Sequence, residues 1–304
     1  MPLISVIVPN YCYAQFLEQR LKTIFNQSFQ DFEVIILDDA SPDNGASKRI
    51  IERYRDNSHV SHIIYNKENS GSPFRQWEKG LNLAAGDWIW IAESDDFCEA
   101  DFLSRMAAYL DEETALVFCT SQKVDSLGNK LDPVFGPSDA AVYYSGKEFI
   151  KKEMLYGNAV WNASSAVFSR KKALQVNKDY IDYRSVGDQL FWIYIAEQGK
   201  VIHCLAPLNY FRRHEQSVSP AAIKNGIAAH ESYQILRYLE RKGYVPFIER
   251  LRIRNCKLQQ FHDTSFVDES IRSELMSLWS MHGLMNTSFY RCGRAFLRKL
   301  KLFL

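Results

Sequence analysis

No CxxC pair occurs among the six cysteines, Cys12, Cys98, Cys119, Cys204, Cys256 and Cys292, and no histidine stands at zinc-finger spacing from any of them. Zinc modules and thioredoxin-type redox motifs are excluded, and free thiols in a reducing compartment are expected. Long apolar runs are missing as well. The N-terminal run Leu3–Val8 lacks a basic leader and the length of a signal peptide or anchor, and no stretch reaches membrane-spanning length. A cytoplasmic protein is expected. Nor is there an excess of one charge: 37 Lys and Arg against 36 Asp and Glu leave a formal net charge of +1, so no global field points to nucleic acid. The first strand is followed by neither GxGxxG nor a Gly- and Arg-rich loop, and the chain holds no GxxxxGK[ST] and no GxSxG. These absences speak against dinucleotide oxidoreductases, P-loop enzymes, α/β-hydrolases and sugar nucleotidyltransferases.

What is present is a chain of 304 residues, 46% apolar and 24% charged, long enough for one large domain or a domain with an appendage. Its first half alternates between two periods. Leu3–Val8, Phe32–Asp39, Val60–Asn66, the run DWIWIA and Ala115–Thr120 are continuous apolar runs of buried-strand type. Between them Leu17, Leu21 and Ile24, then Phe74, Trp77 and Leu81, then Leu103, Met106 and Leu110 recur at helical spacing. The pattern predicts an α/β domain with a mostly parallel sheet flanked by helices. From Gln122 to about Gly157 the chain reads as loop-rich, and a helix is expected from about Asp188. After Pro220 strand patterning stops, so a domain of residues 1–219 with a helical C-terminal region, 220–304, is expected.

Ligands in such sheets bind beyond the carboxyl ends of the strands. Three strand ends carry chemistry here: Pro9-Asn10-Tyr11, Asp38-Asp39 and Glu93-Ser94-Asp95-Asp96. Three acids within four positions repel one another, which suits a divalent cation held by carboxylates and phosphate oxygens. Capping of the next helix near Glu99 by Asp95 or Asp96 is the other reading. Arg75 and Lys79 either reach phosphate or line a solvated helix face.

The stretch ISVIVPNYCYAQFLEQRLKTIFNQSFQDFEVIILDDASPD resembles the opening of family 2 glycosyltransferases of the GT-A fold. NSGSPFRQWEKGLNLAAGDWIWIAESDD is similar to the segment leading into that family's acidic motif, and VGDQLFWIYIAEQG and YFRRHEQSVS resemble its later motifs. The likeness runs in order from Leu3 to Ser219. It implies an inverting sugar transfer from a nucleotide-diphosphate sugar, UDP- or dTDP-linked, with Mn²⁺ or Mg²⁺. It further implies Asp95, Asp96 and His214 as metal ligands and Pro9, Tyr11, Asp39, Glu93, Asp95, Arg212 and Arg213 as donor-binding residues. Asp188 takes the role of general base, removing a proton from the acceptor hydroxyl. Glu93 stands where the family often has Asp, and Gly187 precedes Asp188 where it often has Glu. The implied acceptor is a glycan or lipid-linked glycan of a bacterial surface polysaccharide. A non-catalytic sugar-nucleotide or glycan-binding module on the same fold is the alternative.

From Ser288 the chain places Phe289, Cys292, Phe296, Leu300 and Phe303 on one helical face, and Arg291, Arg294, Arg298 and Lys301 on the other. That pattern suits a peripheral helix on an anionic membrane, or a helix packed on the domain or on a second copy in a homodimer. On the membrane reading, truncation after Asn286 lowers co-sedimentation with anionic liposomes and leaves nucleotide binding unchanged. High salt then releases the full-length chain, because the basic face is screened within a Debye length. A full-length chain that ignores liposomes, with a truncated chain that aggregates or melts early, would leave only the packing role.

Overall fold

The computed structural model describes residues 2–214 and 218–280; the amphipathic segment from Ser288 lies outside them. Two compact units divide the chain, residues 1–217 and 218–304.

The first unit begins with β1 (Ile4–Asn10), α1 (Ala14–Phe25), β2 (Phe32–Asp38), α2 (Ala46–Glu52), β3 (Val60–Tyr65), α3 (Pro73–Leu83) and β4 (Trp88–Ile91). It continues through β5 (Phe97–Cys98), α4 (Phe102–Ala107), β6 (Thr114–Val124) and β7 (Ala141–Ser145). Helix α5 (Gly146–Phe149) runs into a π-helical turn, Ile150–Met154. Then come β8 (Ala166–Ser169), α6 (Arg170–Ala173), α7 (Gly187–Ala196) and β9 (Lys200–Arg212). The strands form one sheet in the order β3-β2-β1-β4-β8-β6-β9-β5, with β7 on β9. Pairing is parallel from β3 through β4 and again between β6 and β9. Strands β8, β5 and β7 bring in antiparallel pairs.

Every residue of β1 and of β2 is buried, because helices cover both faces of the sheet. Ile4, Val6 and Val8 join Leu17, Leu21 and Ile24 of α1 and Phe102, Leu103 and Met106 of α4 in one core. Ile7, pointing the other way along the pleat, meets α3 at Gly80, where an added Cβ would run into the Ile7 side chain. On that second face an aromatic cluster locks α3 to α7. Trp77 packs edge-on to Phe191 (5.8 Å) and tilted to Trp192 (6.0 Å), and Phe168 of β8 meets both rings. Such pairs add about 0.5–1.5 kcal/mol each beyond their buried area.

Residues expected as loop between Gln122 and Gly157 contain β7 and the α5 turn. Strand β7 is half exposed and its residues AVYYS carry no clean alternation, which is why periodicity missed it. The second unit contributes α8 (Val218–Lys224), α9 (Ile227–Arg241), α10 (Phe247–Asp263) and α11 (Glu269–Trp279). Its core gathers Ile235, Leu236, Leu239, Ile253, Phe261, Leu275 and Trp279. No helix among the described residues is long and apolar enough to cross a membrane.

Gly80→Val tests the α3–β1 contact. Overpacking of this kind costs about 1–3 kcal/mol, read as a lower urea midpoint with an unchanged m-value.

Candidate active site

The carboxyl edge of β1, β2 and β4 collects the acids expected there. Backbone geometry at this edge is unusual: Cys12 (φ 61°), Ala40 (φ 59°) and Asn44 (φ 54°) all sit in the left-handed region without being glycine. Such conformations cost free energy and persist where the surroundings over-determine them. Here Ser41 supplies the restraint. Its hydroxyl accepts the Cys12 N–H (2.9 Å) and donates to Asp38 Oδ2 (2.8 Å), which also accepts from Asn10 Nδ2 (2.7 Å). Asp38 is therefore a turn-forming acid.

Asp39 faces the other way and is buried. It accepts from Asn66 Nδ2 (2.6 Å), from the Ser70 amide (3.0 Å) and hydroxyl (2.7 Å), and from Gln76 Nε2 (2.9 Å). These donors hold it against the turn after β3. Tyr11 is 44% exposed at the mouth of the edge, and buried Pro9 offers its carbonyl to the Ser94 hydroxyl.

The three acids after β4 point in three directions. Glu93 accepts from the indole N–H of Trp77 (2.9 Å). Asp96, 2% exposed, accepts the Arg212 backbone N–H (3.0 Å) and a bond from Asn162 Nδ2. Asp95 turns to His214, whose Nε2 lies 3.0 Å from Oδ2. The imidazole sits between Tyr13 and Phe16, and its Nδ1 is buried without a partner. Burial and the neighbouring Asp95 push Glu93 up to about 8 and raise Asp96 as well. Below them the Arg20 guanidinium is fully buried, 4.7 Å over the Trp90 ring, and lowers both acids by its charge.

Arg212 and Arg213 separate in role. Arg212 is buried, its Nε donating to the Asp95 carbonyl (2.7 Å), Nη1 to the Ser126 carbonyl (2.8 Å) and Nη2 to Gln19 (2.7 Å). Its guanidinium is thereby spent on the protein itself. Arg213 is exposed. Neither cation of α3 stands among the acids: Arg75 lies 3.7 Å from exposed Asp182, and Lys79 donates to Asn66.

Asp188 lies in the first turn of α7, where the helix dipole favours an anion. Asn158 Nδ2 donates to its Oδ2 (2.7 Å). Gly187, in place of an acid, has a packing cause. A Cβ there would fall 2.6 Å from both the Phe74 ring and the Tyr180 carbonyl. Asn158 and Asn162 bound one short span, so the partners of Asp188 and Asp96 have Cα atoms at most about 15 Å apart. Both asparagines and Arg20 escaped the sequence reading, because polar partners carry no periodic signal, and Trp77 was legible there only as a position on the apolar face of a helix.

Among the described residues no three His, Cys, Asp or Glu side chains converge as a ready cation cage. Asp95 and His214 nonetheless fit a divalent ion. They would supply two ligands, one of them an imidazole with an orphaned nitrogen, and such ions on nucleotides take their remaining ligands from water and phosphate.

Residues 5–176 match the model of the family described as Glycosyl transferase family 2, so the chain belongs to that family. It is 25% identical over 249 residues to the putative teichuronic acid biosynthesis glycosyltransferase TuaG of Bacillus subtilis, covering 80% of this chain and 91% of that protein. It is 26% identical over 248 residues to the GalNAc(5)-diNAcBac-PP-undecaprenol beta-1,3-glucosyltransferase of Campylobacter jejuni, covering 80% and 75%. Among solved structures, S. aureus TarS 1-349 in complex with UDP-GlcNAc superposes with a TM-score of 0.60 at 18% identity, covering 92% of this chain and 71% of that one. The Pyrobaculum calidifontis mannosyltransferase PcManGT, in complex with GDP-Man and Mn²⁺, gives 0.57 at 17%, covering 97% and 80%. The architecture is the GT-A fold of these neighbours.

The raised Glu93 gives a pH test on metal-free protein. An acid whose pKa rises on folding binds its proton more tightly in the native state. Stability is then greatest below the unfolded value, 4.5, and is lost as pH climbs toward about 8. Glu93→Gln keeps an acceptor for Trp77 and is expected to flatten that fall, which is on the order of a few kcal/mol. Melting temperatures of both proteins across this range measure it.

Proposed function

We propose that the chain transfers a sugar from a nucleotide-diphosphate sugar to a hydroxyl of a bacterial surface glycan, with inversion at the anomeric carbon. One observation carries the reading: Asp95, from the turn after β4, meets His214, from the residues after β9, while Asp188 opens α7 and is held by Asn158, four residues from the Asn162 that holds Asp96. Asp95 and His214 would hold Mn²⁺ or Mg²⁺. When bound, the ion offsets charge on the diphosphate as it leaves. Asp96 positions this pair by fixing the Arg212 backbone, and Arg212 holds the Asp95 carbonyl. Arg213, exposed at the end of this segment, is the cation suited to phosphate oxygens. Asp39, oriented by its donors, accepts the ring N–H of a uracil or thymine, with Tyr11 and Pro9 as the wall of the base site; this favours UDP- or dTDP-sugars. Asp188, oriented by Asn158, takes the acceptor proton. A lipid-linked acceptor agrees with the name of the Campylobacter relative.

Thermal unfolding with UDP, with and without Mn²⁺, tests the donor half. At about 100 times its dissociation constant the nucleotide adds about 2.7 kcal/mol, and Asp95→Asn removes the part that needs metal. Asp188→Asn leaves that shift intact and lowers turnover by roughly 10²–10⁴. Wild-type protein that binds UDP with Mn²⁺ yet never turns over a sugar nucleotide would be a binding module instead.

A further inference from the structure

A cavity of about 330 Å³ opens beside Asp188 without including any of the acids after β4. One wall is aromatic. Phe118 of β6 and His203 of β9 stack at 4.3 Å and 12°, and Trp161, 41% exposed, also lines the cavity, with Lys123 4.3 Å from its ring centroid. The other wall is polar. Glu153, on the π-helical turn, accepts from Tyr144 and adds a carboxylate, and Asn158 adds the amide that also holds Asp188. π-Helical turns occur frequently at functional sites. At Gly157 a side chain would meet open space, so the backbone leaves the rim clear.

The lining selects its ligand. The ammonium of Lys123 is held over the Trp161 ring, while Glu153 repels anions and burial lowers His203 toward its neutral form. A diphosphate is therefore disfavoured. A purely apolar ligand would leave unused the carboxylate of Glu153 and the remaining amide N–H of Asn158, beyond the bonds they make to Tyr144 and Asp188. A pyranose satisfies both walls: its C–H face lies on the rings and its hydroxyls bond the carboxylate and the amide. The volume is at the small end of ligand sites, about 300–1,000 Å³, and suits one or two sugar rings.

We propose that this cavity is a pyranose subsite that seats a sugar unit of the acceptor glycan beside Asp188, with Trp161 as its platform. It rests on the transferase reading for the word acceptor, not for the binding. Asn158 then has two tasks, touching the seated sugar and orienting the carboxylate.

Saturation-transfer NMR of the full chain with the methyl glycosides of glucose, galactose and N-acetylglucosamine tests it, alongside the UDP and Mn²⁺ melting shift. At least one methyl pyranoside is expected to receive saturation from wild-type protein. That transfer is lost in Trp161→Ala and weakened in Glu153→Gln, while both variants keep the UDP shift. Transfer that persists unchanged in Trp161→Ala, or is absent for every glycoside, overturns the subsite. A wild-type chain that shows no UDP shift but loses pyranoside contact in Trp161→Ala keeps the cavity as a glycan site and removes the transferase reading. Any variant that also loses the UDP shift is replaced by Trp161→Phe, which keeps a smaller platform and is expected to retain partial transfer; full transfer there overturns the platform role.

Discussion

Negative charge confined away from water organises this protein's carboxyl edge. Glu93, Asp95 and Asp96 follow β4 directly, and Glu93 and Asp96 are driven toward their protonated forms by burial and by Asp95. Each carboxyl is relieved by a different part of the chain. Trp77 comes from α3, the Arg212 amide from the end of β9, Asn162 from the turn before β8, and His214 from the residues after β9. Arg20 adds a buried positive charge from α1. Elements far apart in sequence therefore converge because leaving any of these groups alone in a low dielectric would be costly.

That convergence gives the site its division of labour. Acids saturated by protein donors, such as Asp38 and Asp96, hold turns and strand ends in place. Asp95 instead turns to His214, an imidazole whose other nitrogen is buried without a partner. Strain at Cys12, Ala40 and Asn44 belongs to the same edge: these left-handed residues lie in the turns that follow β1 and β2.

Asp188 is placed by packing on the opposite face. Nearly every residue of α7 is buried, and its aromatic side chains interlock with Trp77 and Phe168. The close approach of Phe74 and the Tyr180 carbonyl leaves no space for a side chain at Gly187. The helix start is thus set by core shape, and Asn158 sets the direction of the carboxylate at its tip.

Much of the fold was legible along the chain, because hydrophobic period is a local property. Continuous apolar runs announced β1, β2 and β4, helical spacing announced α1 and α3, and the acids stood visibly at strand ends. Strand β7 was not legible, since a half-exposed strand of tyrosines and small residues has no strong period. The two-residue β5 is too short to show one. Adjacent residues of the same type, Asp95 and Asp96 or Arg212 and Arg213, could not be told apart by sequence. Sequence by itself determined the alternating α/β class, the family resemblance and the edge that carries the chemistry. Only the tertiary structure decided which carboxyl faces His214, which arginine is consumed as a brace and which asparagines hold the acids. Those choices depend on contacts between residues tens of positions apart, and spacing along the chain does not encode them.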